Sequence, residues 1–156
     1  MPSPRESHFQ TRVRWTGSYV EGQTGGRSYT RDMLVEPAGK PPIPGSASAH
    51  FLGDDARYNP EDLMLASLAE CHLLTYLAIA AKARVVIVEL EVSASGVIAL
   101  VSGKMRFREA TLVAVTKVAS AEDTQRATEL HASAHRHCFM SNSVNFPITV
   151  TPSVLV

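Results

Sequence analysis

The alternation of apolar and polar side chains marks the first third of the chain as β structure. Over residues 8–20 apolar and polar positions alternate with the period of a strand that has one buried face. Residues 22–26 contain two adjacent glycines and predict a turn, after which residues 29–36 return as a second strand of a hairpin. Residues 36–46 hold four prolines and two glycines, which predicts a long loop without regular structure.

A long apolar helix follows. Asn59 can accept a hydrogen bond from the free N–H groups of a first helical turn, and Pro60 fits the first helical position. Residues 63–83 are apolar on nearly all sides, so we expect this helix to be buried on most of its surface. A single small domain has difficulty covering such a helix, which indicates that a second subunit contributes.

The remaining pattern predicts an antiparallel meander and a second helix. Residues 84–92 and 105–119 read as strands, and Ser120 caps a helix that ends near His137. A turn at residues 142–145 leads to an edge strand over 146–154, because two prolines interrupt its hydrogen bonding. The inward positions predicted for the second strand are Phe107, Ala110, Leu112, Val113 and Val115. We expect one domain over residues 1–156, with 1–7 as a loose tail.

Composition narrows the possible partners and location. The formal net charge is zero and no run of Lys or Arg exceeds two, so neither nucleic acid nor an anionic membrane is an expected partner. The N-terminus has no apolar segment of the signal-peptide kind, and the most apolar stretch contains Glu70 and His72. These features predict a cytoplasmic protein without a membrane span.

Two cysteines, Cys71 and Cys138, are the only ones in the chain. In a reducing cytoplasm a cysteine pair would be catalytic or sensing rather than a permanent disulfide. The alternative is two unrelated buried thiols that act as small apolar side chains. There is no CxxC motif, so a thioredoxin-type site is not indicated.

Histidines crowd the end of the second helix. His131, His135 and His137 precede Cys138, so a zinc site is conceivable. No second ligand cluster and no HExxH motif accompany them, and contacts with the last carbonyl groups of the helix are the preferred interpretation. We predict no metal and no cofactor. The absence of a G-x-S-x-G motif also removes support for Ser-His-Asp catalysis.

Two segments resemble one known family. Residues 59–72, Asn-Pro-Glu followed by a small apolar run that ends at Cys71, are similar to the central-helix motif of the OsmC/Ohr family of organic hydroperoxide reductases. Residues 137–147 resemble the motif around that family's second cysteine. The resemblance spans roughly residues 10–152. It implies an α+β, OsmC-like fold with antiparallel sheets and a buried central helix in an intertwined homodimer.

The resemblance also implies a mechanism. Cys71 would attack an organic hydroperoxide and become a sulfenic acid, and Cys138 would resolve it as a disulfide. A dithiol, lipoyl-type in the better-known members, would then reduce the pair. The expected partners are therefore an organic hydroperoxide, a dithiol reductant and a second copy of the chain.

Family members activate the first cysteine with an arginine that a glutamate orients. Glu61 matches that glutamate, and we rank the arginines Arg31, Arg27 and Arg57 in that order. Glu61 lies roughly 15 Å before Cys71 on a straight helix. It therefore acts only through a helix break, across a dimer interface or through the arginine. The alternative is that Glu61 simply stabilises the helix dipole.

Glu70 departs from the family pattern, which usually has a small residue before the first cysteine. A carboxylate beside a thiolate disfavours ionisation of that thiol. Glu70 must therefore point away, form its own ion pair, or accompany weaker activity. His72 on the other side of Cys71 is expected to be a neutral, hydrogen-bonded core histidine.

Overall fold

A computed structural model describes residues 6–21 and 27–156. The chain divides into two compact units, residues 1–63 and residues 64–156. The predicted turn at residues 22–26 and the first five residues of the predicted tail lie outside the described residues. The helix α1, Pro60–Lys82, begins in the first unit and continues into the second.

Short strands make up the first unit. Strands β1 (Thr11–Trp15), β4 (Met33–Pro37) and β5 (Ile43–Gly45) form an antiparallel sheet in the order β1-β4-β5. Strands β2 (Tyr19–Glu21) and β3 (Arg27–Tyr29) form the predicted antiparallel hairpin.

Two details of this unit differ from the sequence prediction. The single strand expected over residues 8–20 is split, and Gly17 lies at the break, where a Cβ atom would collide with Thr30. The prediction of no regular structure over residues 36–46 is wrong for β5. This strand pairs Pro44 with Leu34 and lies at the sheet edge, where a missing N–H is tolerated.

The start of α1 is confirmed as predicted. Asn59 Oδ1 accepts a hydrogen bond of 2.8 Å from the Asp62 N–H, and the Asn59 N–H donates to the Asp62 carboxylate at 3.2 Å. This reciprocal pair satisfies two donors at the helix N-terminus. The helix runs without interruption to Lys82.

A three-stranded sheet dominates the second unit. Strands β6 (Ile87–Val101) and β7 (Lys104–Val118) are antiparallel, and β8 (Ile148–Leu155) lies at the edge beside β7. β8 is an edge strand as predicted, but it pairs with β7 in parallel. Parallel pairing requires a crossover, and α2 (Thr124–His137) with the segment after it supplies this connection.

The core of this unit lies between the helices and β7. Side chains spaced four apart on α1 are buried, namely Leu68, His72, Tyr76 and Ala80. They meet alternate residues of β7 and the buried side chains of α2. The inward positions Ala110 and Leu112 are confirmed, whereas Val113 and Val115 were wrongly predicted. They are 41% and 39% exposed, because strand alternation places Ala114 and Thr116 inward instead.

Other sides of α1 are not covered within the described chain. Leu74 and Leu77 are 57% and 38% exposed. By length and hydropathy α1 could also cross a membrane, a test that core helices of water-soluble proteins pass as well. Ser120 caps the short 3₁₀ turn Ala121–Asp123 that leads into α2, where its hydroxyl accepts a hydrogen bond from the Glu122 N–H at 3.3 Å.

Candidate functional site

The two cysteines of the chain meet in the second unit. Cys71 lies about three turns into α1 and is partly exposed, whereas Cys138 directly follows α2 and is fully buried. Cys71 lies close enough to Cys138 to raise the pKa of the Cys138 thiol, and both cysteines are in the free form. Packing of α1 against α2 thus brings together two sulfurs that lie far apart in the sequence.

The environment of Cys138 disfavours its thiolate in the reduced protein. Burial raises the pKa of the Cys138 thiol, and the neighbouring Cys71 thiol raises it further. Ser141 acts in the opposite direction through its hydroxyl and its main-chain N–H, which lies 3.4 Å from Cys138 Sγ. Sequence reasoning missed Ser141, although a hydroxyl three residues after a cysteine at a helix end is a recognisable turn arrangement.

The residues beside Cys71 in the chain point in different directions. Glu70 is exposed, and it takes part in none of the ion pairs formed by side chains that the structure describes. His72 is fully buried, and its Nε2 atom lies 3.1 Å from Nδ1 of His131. Burial, with a smaller effect of the nearby His135, lowers the pKa of His72 to about 4. The prediction of a neutral, hydrogen-bonded core histidine is confirmed.

A buried chain of polar groups continues from His72. The Nε2 atom of His131 lies 3.0 Å from the hydroxyl of Thr116. Tyr76 stacks on the His131 ring, and its hydroxyl donates to the Ala127 carbonyl at 3.1 Å. Burial and then His72 lower the pKa of His131 to about 4. This pairing was not predictable from the sequence, because a histidine on an apolar helix face does not reveal its partner.

The histidines at the end of α2 take part in local structure. His137 Nδ1 lies 2.8 Å from the Ser133 carbonyl, which is the kind of helix-end contact that was preferred from the sequence. Within residues 6–21 and 27–156, no group of three His, Cys, Asp or Glu side chains is arranged to hold a metal ion.

The candidate activating residues lie in the first unit. The Arg31 guanidinium donates to the carbonyls of Tyr29 and Leu52 and lies 4.5 Å from the centre of the Tyr29 ring. Arg57 forms ion pairs with Asp32 and Asp54.

The family resemblance implies that Glu61 orients an arginine beside Cys71, and this pairing stays a prediction. The backbone of Arg27 belongs to β3, and its side chain lies outside the described part of the chain. Glu61 joins none of the ion pairs between described side chains. Because α1 is continuous, Glu61 does not reach Cys71 through a break in the helix.

An apolar groove is lined by residues that follow Cys71 on α1 and flank Cys138 in the sequence, and neither cysteine is among its lining residues. It has a volume of about 440 Å³ and is lined mainly by side chains of α1, with Phe139 from the residue after Cys138. Leu74, one turn after Cys71, contributes to the wall. Lys82 and His137 bring polar groups to the lining.

The fold is similar to that of solved OsmC-like and organic hydroperoxide resistance proteins. An OsmC-like protein of unknown function from Vibrio cholerae is 28% identical with a TM-score of 0.85, covering 95% of this chain and 100% of that one. An organic hydroperoxide resistance protein from Elizabethkingia anophelis is 20% identical over 99% of both chains, with a TM-score of 0.71. The organic hydroperoxide resistance protein OhrB of Bacillus subtilis is 20% identical over 95% of this chain and 98% of its own, with a TM-score of 0.65.

The sequence pattern of one family covers most of the chain. No curated protein matches this chain. The pattern described as OsmC-like protein matches residues 53–153, which include both cysteines and the whole second unit apart from its last three residues. The predicted α+β fold and family are thereby confirmed, and this chain belongs to the OsmC-like protein family.

Proposed function

We propose that the protein is a thiol-dependent peroxidase that reduces organic hydroperoxides. The observation that carries this proposal is the proximity of Cys71 to Cys138, which is close enough to raise the pKa of the Cys138 thiol. Two neighbouring thiols can form a disulfide without a large movement of the backbone. The partly exposed Cys71 is open to a substrate, whereas the buried Cys138 is accessible mainly to Cys71.

The chemistry follows from these positions. The Cys71 thiolate attacks the distal oxygen of R–O–O–H, the O–O bond breaks, and the alcohol R–OH leaves after taking up a proton. Cys71 is then a sulfenic acid. Cys138 attacks this sulfur as a thiolate, water leaves, and the Cys71–Cys138 disulfide forms. A dithiol, of lipoyl type by family resemblance, supplies two electrons and restores both thiols.

The apolar groove supports an organic rather than an inorganic peroxide. Leu74, Ala78, Ile79 and Phe139 can cover the R group, whereas hydrogen peroxide gains nothing from apolar walls. We therefore expect a hydrophobic alkyl or aryl hydroperoxide to react faster than hydrogen peroxide. The neighbours from Elizabethkingia anophelis and Bacillus subtilis bear names that point to organic hydroperoxides.

We propose that the working form is a homodimer in the cytoplasm. The exposed Leu77 on α1 supports this, because solvent exposure of a large apolar side chain is unfavourable and a second copy would cover it. Light scattering should give twice the chain mass of 16.9 kDa. The variant Leu77→Glu should shift the mass towards one chain, and an unshifted mass would assign the contact elsewhere.

A second candidate function is oxidant sensing with little turnover. The raised pKa of Cys138 favours it, because a resolving thiol that ionises poorly closes the disulfide slowly and leaves it slowly. A sensor would form the disulfide once per oxidant molecule and keep it. The peroxidase would regenerate thiols as long as a dithiol is present.

Steady-state turnover separates these functions. The purified chain is mixed with cumene hydroperoxide or hydrogen peroxide and an excess of dihydrolipoamide, and peroxide consumption is followed. We expect many turnovers with cumene hydroperoxide, none in Cys71→Ser, and a trappable sulfenic acid in Cys138→Ser. One turnover per chain would support the sensor. Equal consumption by wild type and Cys71→Ser would refute both functions for this cysteine.

A further inference from the structure

Ser141 places two hydrogen-bond donors beside one sulfur atom. Its main-chain N–H donates to Cys138 Sγ at 3.4 Å, and its hydroxyl lies near enough to lower the pKa of that thiol. The hydroxyl oxygen is buried and forms no hydrogen bond with the described residues while Cys138 is a thiol. A thiolate is a stronger acceptor than a thiol, so we expect the hydroxyl to turn to the Cys138 sulfur once that sulfur is ionised.

The turn that carries Ser141 is held by independent bonds. The Asn142 N–H donates to the Cys138 carbonyl at 3.1 Å, and the Ser143 hydroxyl donates to the Phe139 carbonyl at 2.7 Å. These bonds fix the course of the backbone, which places Ser141 beside Cys138. Removing the Ser141 hydroxyl leaves the other hydrogen bonds of the turn in place.

The two sulfurs also differ in access. Cys138 is fully buried, whereas Cys71 is partly exposed. In thiol–disulfide exchange the incoming thiolate attacks one sulfur, and the other leaves with the electron pair of the broken bond. Departure is faster when the leaving thiolate is stabilised, and hydrogen bonds to an ionised group are stronger than those to a neutral one.

We propose that Ser141 is a catalytic residue that holds the leaving thiolate of Cys138 and so directs the reducing thiol to Cys71. This inference rests on the proposed function for its place in the cycle. A thiolate R–S⁻ attacks Cys71 Sγ, the Cys71–Cys138 bond breaks, and Cys138 leaves as a thiolate bonded to Ser141. A second thiolate then attacks the sulfur of R, which releases R–S–S–R and the Cys71 thiolate, and water protonates the thiolates.

The direction of attack is tested without peroxide. The full chain is oxidised with diamide, and the loss of two hydrogens is verified by intact mass. Glutathione is added at low concentration, the reaction is quenched early with acid, free thiols are alkylated, and peptides are identified by mass spectrometry. We expect glutathione on Cys71 and the alkyl group on Cys138. Glutathione mainly on Cys138, equal amounts on both, or failure of diamide to form the disulfide would overturn the proposal.

The role of the hydroxyl is tested by matched variants. Ser141→Ala should slow the exchange about tenfold to a hundredfold, the value expected for one hydrogen bond to a charged group. Ser141→Thr should restore the rate, and Ser153→Ala, which removes an exposed hydroxyl from β8, should leave it unchanged. Thermal melting verifies that each variant is folded.

Equal rates in Ser141→Ala and wild type would refute the role of Ser141, as would equal slowing in Ser153→Ala. A positive exchange result combined with no peroxide consumption would refute the peroxidase alone. Failure of the two proposals is therefore distinguishable.

Discussion

His72 Nε2 and His131 Nδ1 lie 3.1 Å apart, and this hydrogen bond joins α1 to α2 in the interior of the second unit. His72 directly follows Cys71 on its helix, and His131 lies two turns before Cys138. The same pair of helices thus carries the thiols and the histidines. A buried hydrogen bond between two helices constrains the distance between them, and the distance between the two sulfurs depends on that separation.

Two neutral histidines can make every contact in this chain of hydrogen bonds. A neutral imidazole has one N–H donor and one acceptor nitrogen. The contact of His72 Nε2 with His131 Nδ1 needs one donor and one acceptor, and the contact of His131 Nε2 with the Thr116 hydroxyl can run in either direction. Both histidines are neutral in this arrangement.

Acid should destabilise the protein through these histidines. Their pKa is about 4 in the folded chain against an ordinary value of 6.5, so the unfolded chain binds protons first as the pH falls. Stability is full above about pH 6.5 and declines towards pH 4, by up to about 3 kcal/mol for the first proton. The nearby His135 adds to the repulsion when it is charged. Urea unfolding from pH 7.5 to 4 measures this decline.

The control for the acid effect is an exposed histidine. His50→Gln should keep the decline between pH 6.5 and 4, because His50 lies at the surface. The double variant His72→Gln, His131→Gln should flatten this part of the curve, although it lowers stability at neutral pH. A wild-type curve that is flat from pH 6.5 to 4 would contradict neutral buried histidines.

Loss of the α1 cap should destabilise the chain moderately. Asn59→Ala removes the acceptor of the Asp62 N–H and should lower the free energy of unfolding by about 1 kcal/mol. Asn59→Asp keeps an acceptor oxygen at this position and should retain most of the stability. Thermal or urea unfolding compares the three chains. An Asn59→Ala variant as stable as wild type would show that this cap contributes nothing measurable.

Local signals made the helices predictable from the sequence. The caps at Asn59 and Ser120 are visible as residue types that favour helix N-termini, and both form hydrogen bonds in the structure. The parallel pairing of β8 was not predictable in the same way. A strand pattern records which face is buried and contains nothing about the direction of its neighbour.

Residues of the site were predictable from the sequence only where they lie in a recognisable motif. Cys71 and Cys138 stand out because the chain has no other cysteine and because the flanking residues resemble a family. The partner of His72 could not be inferred, because it depends on how α1 packs on α2. Val113 and Val115 show the same limit. A strand that is apolar on both faces does not indicate which face meets the core.

Gly96 on β6 should not tolerate a larger side chain. A Cβ atom there would lie 2.8 Å from the Phe107 ring and 3.1 Å from Leu65 Cδ2. Phe107 stacks on Phe146 with ring centres 5.2 Å apart, so moving one ring disturbs the other. Gly96→Ala should cost about 1–3 kcal/mol of unfolding free energy in urea denaturation, as overpacking does elsewhere. The exposed neighbour Ser95→Ala should stay within about 0.5 kcal/mol, and equal stability of both variants would contradict the close approach.

The family resemblance implies an arginine that activates Cys71, and the pH dependence of alkylation tests which arginine it is. A guanidinium beside a thiol favours the thiolate, so its removal raises the pH at which the thiol reacts. We expect Arg31→Gln to shift the midpoint of the Cys71 reaction with iodoacetamide upward by about one pH unit or more. Arg27→Gln and Arg57→Gln are measured in parallel, because each is a candidate. All chains carry Cys138→Ser, so that only Cys71 reacts.

Two further variants make the alkylation result specific. Arg126→Gln on α2 is the control for a general change in charge, and it should leave the midpoint unchanged. Glu61→Gln should shift the midpoint in the same direction as the responsible arginine if the carboxylate orients that arginine. Because Arg57 pairs with Asp32 and Asp54, its loss should lower stability whether or not it affects Cys71. Unchanged midpoints in all three arginine variants would show that Cys71 is ionised by other means.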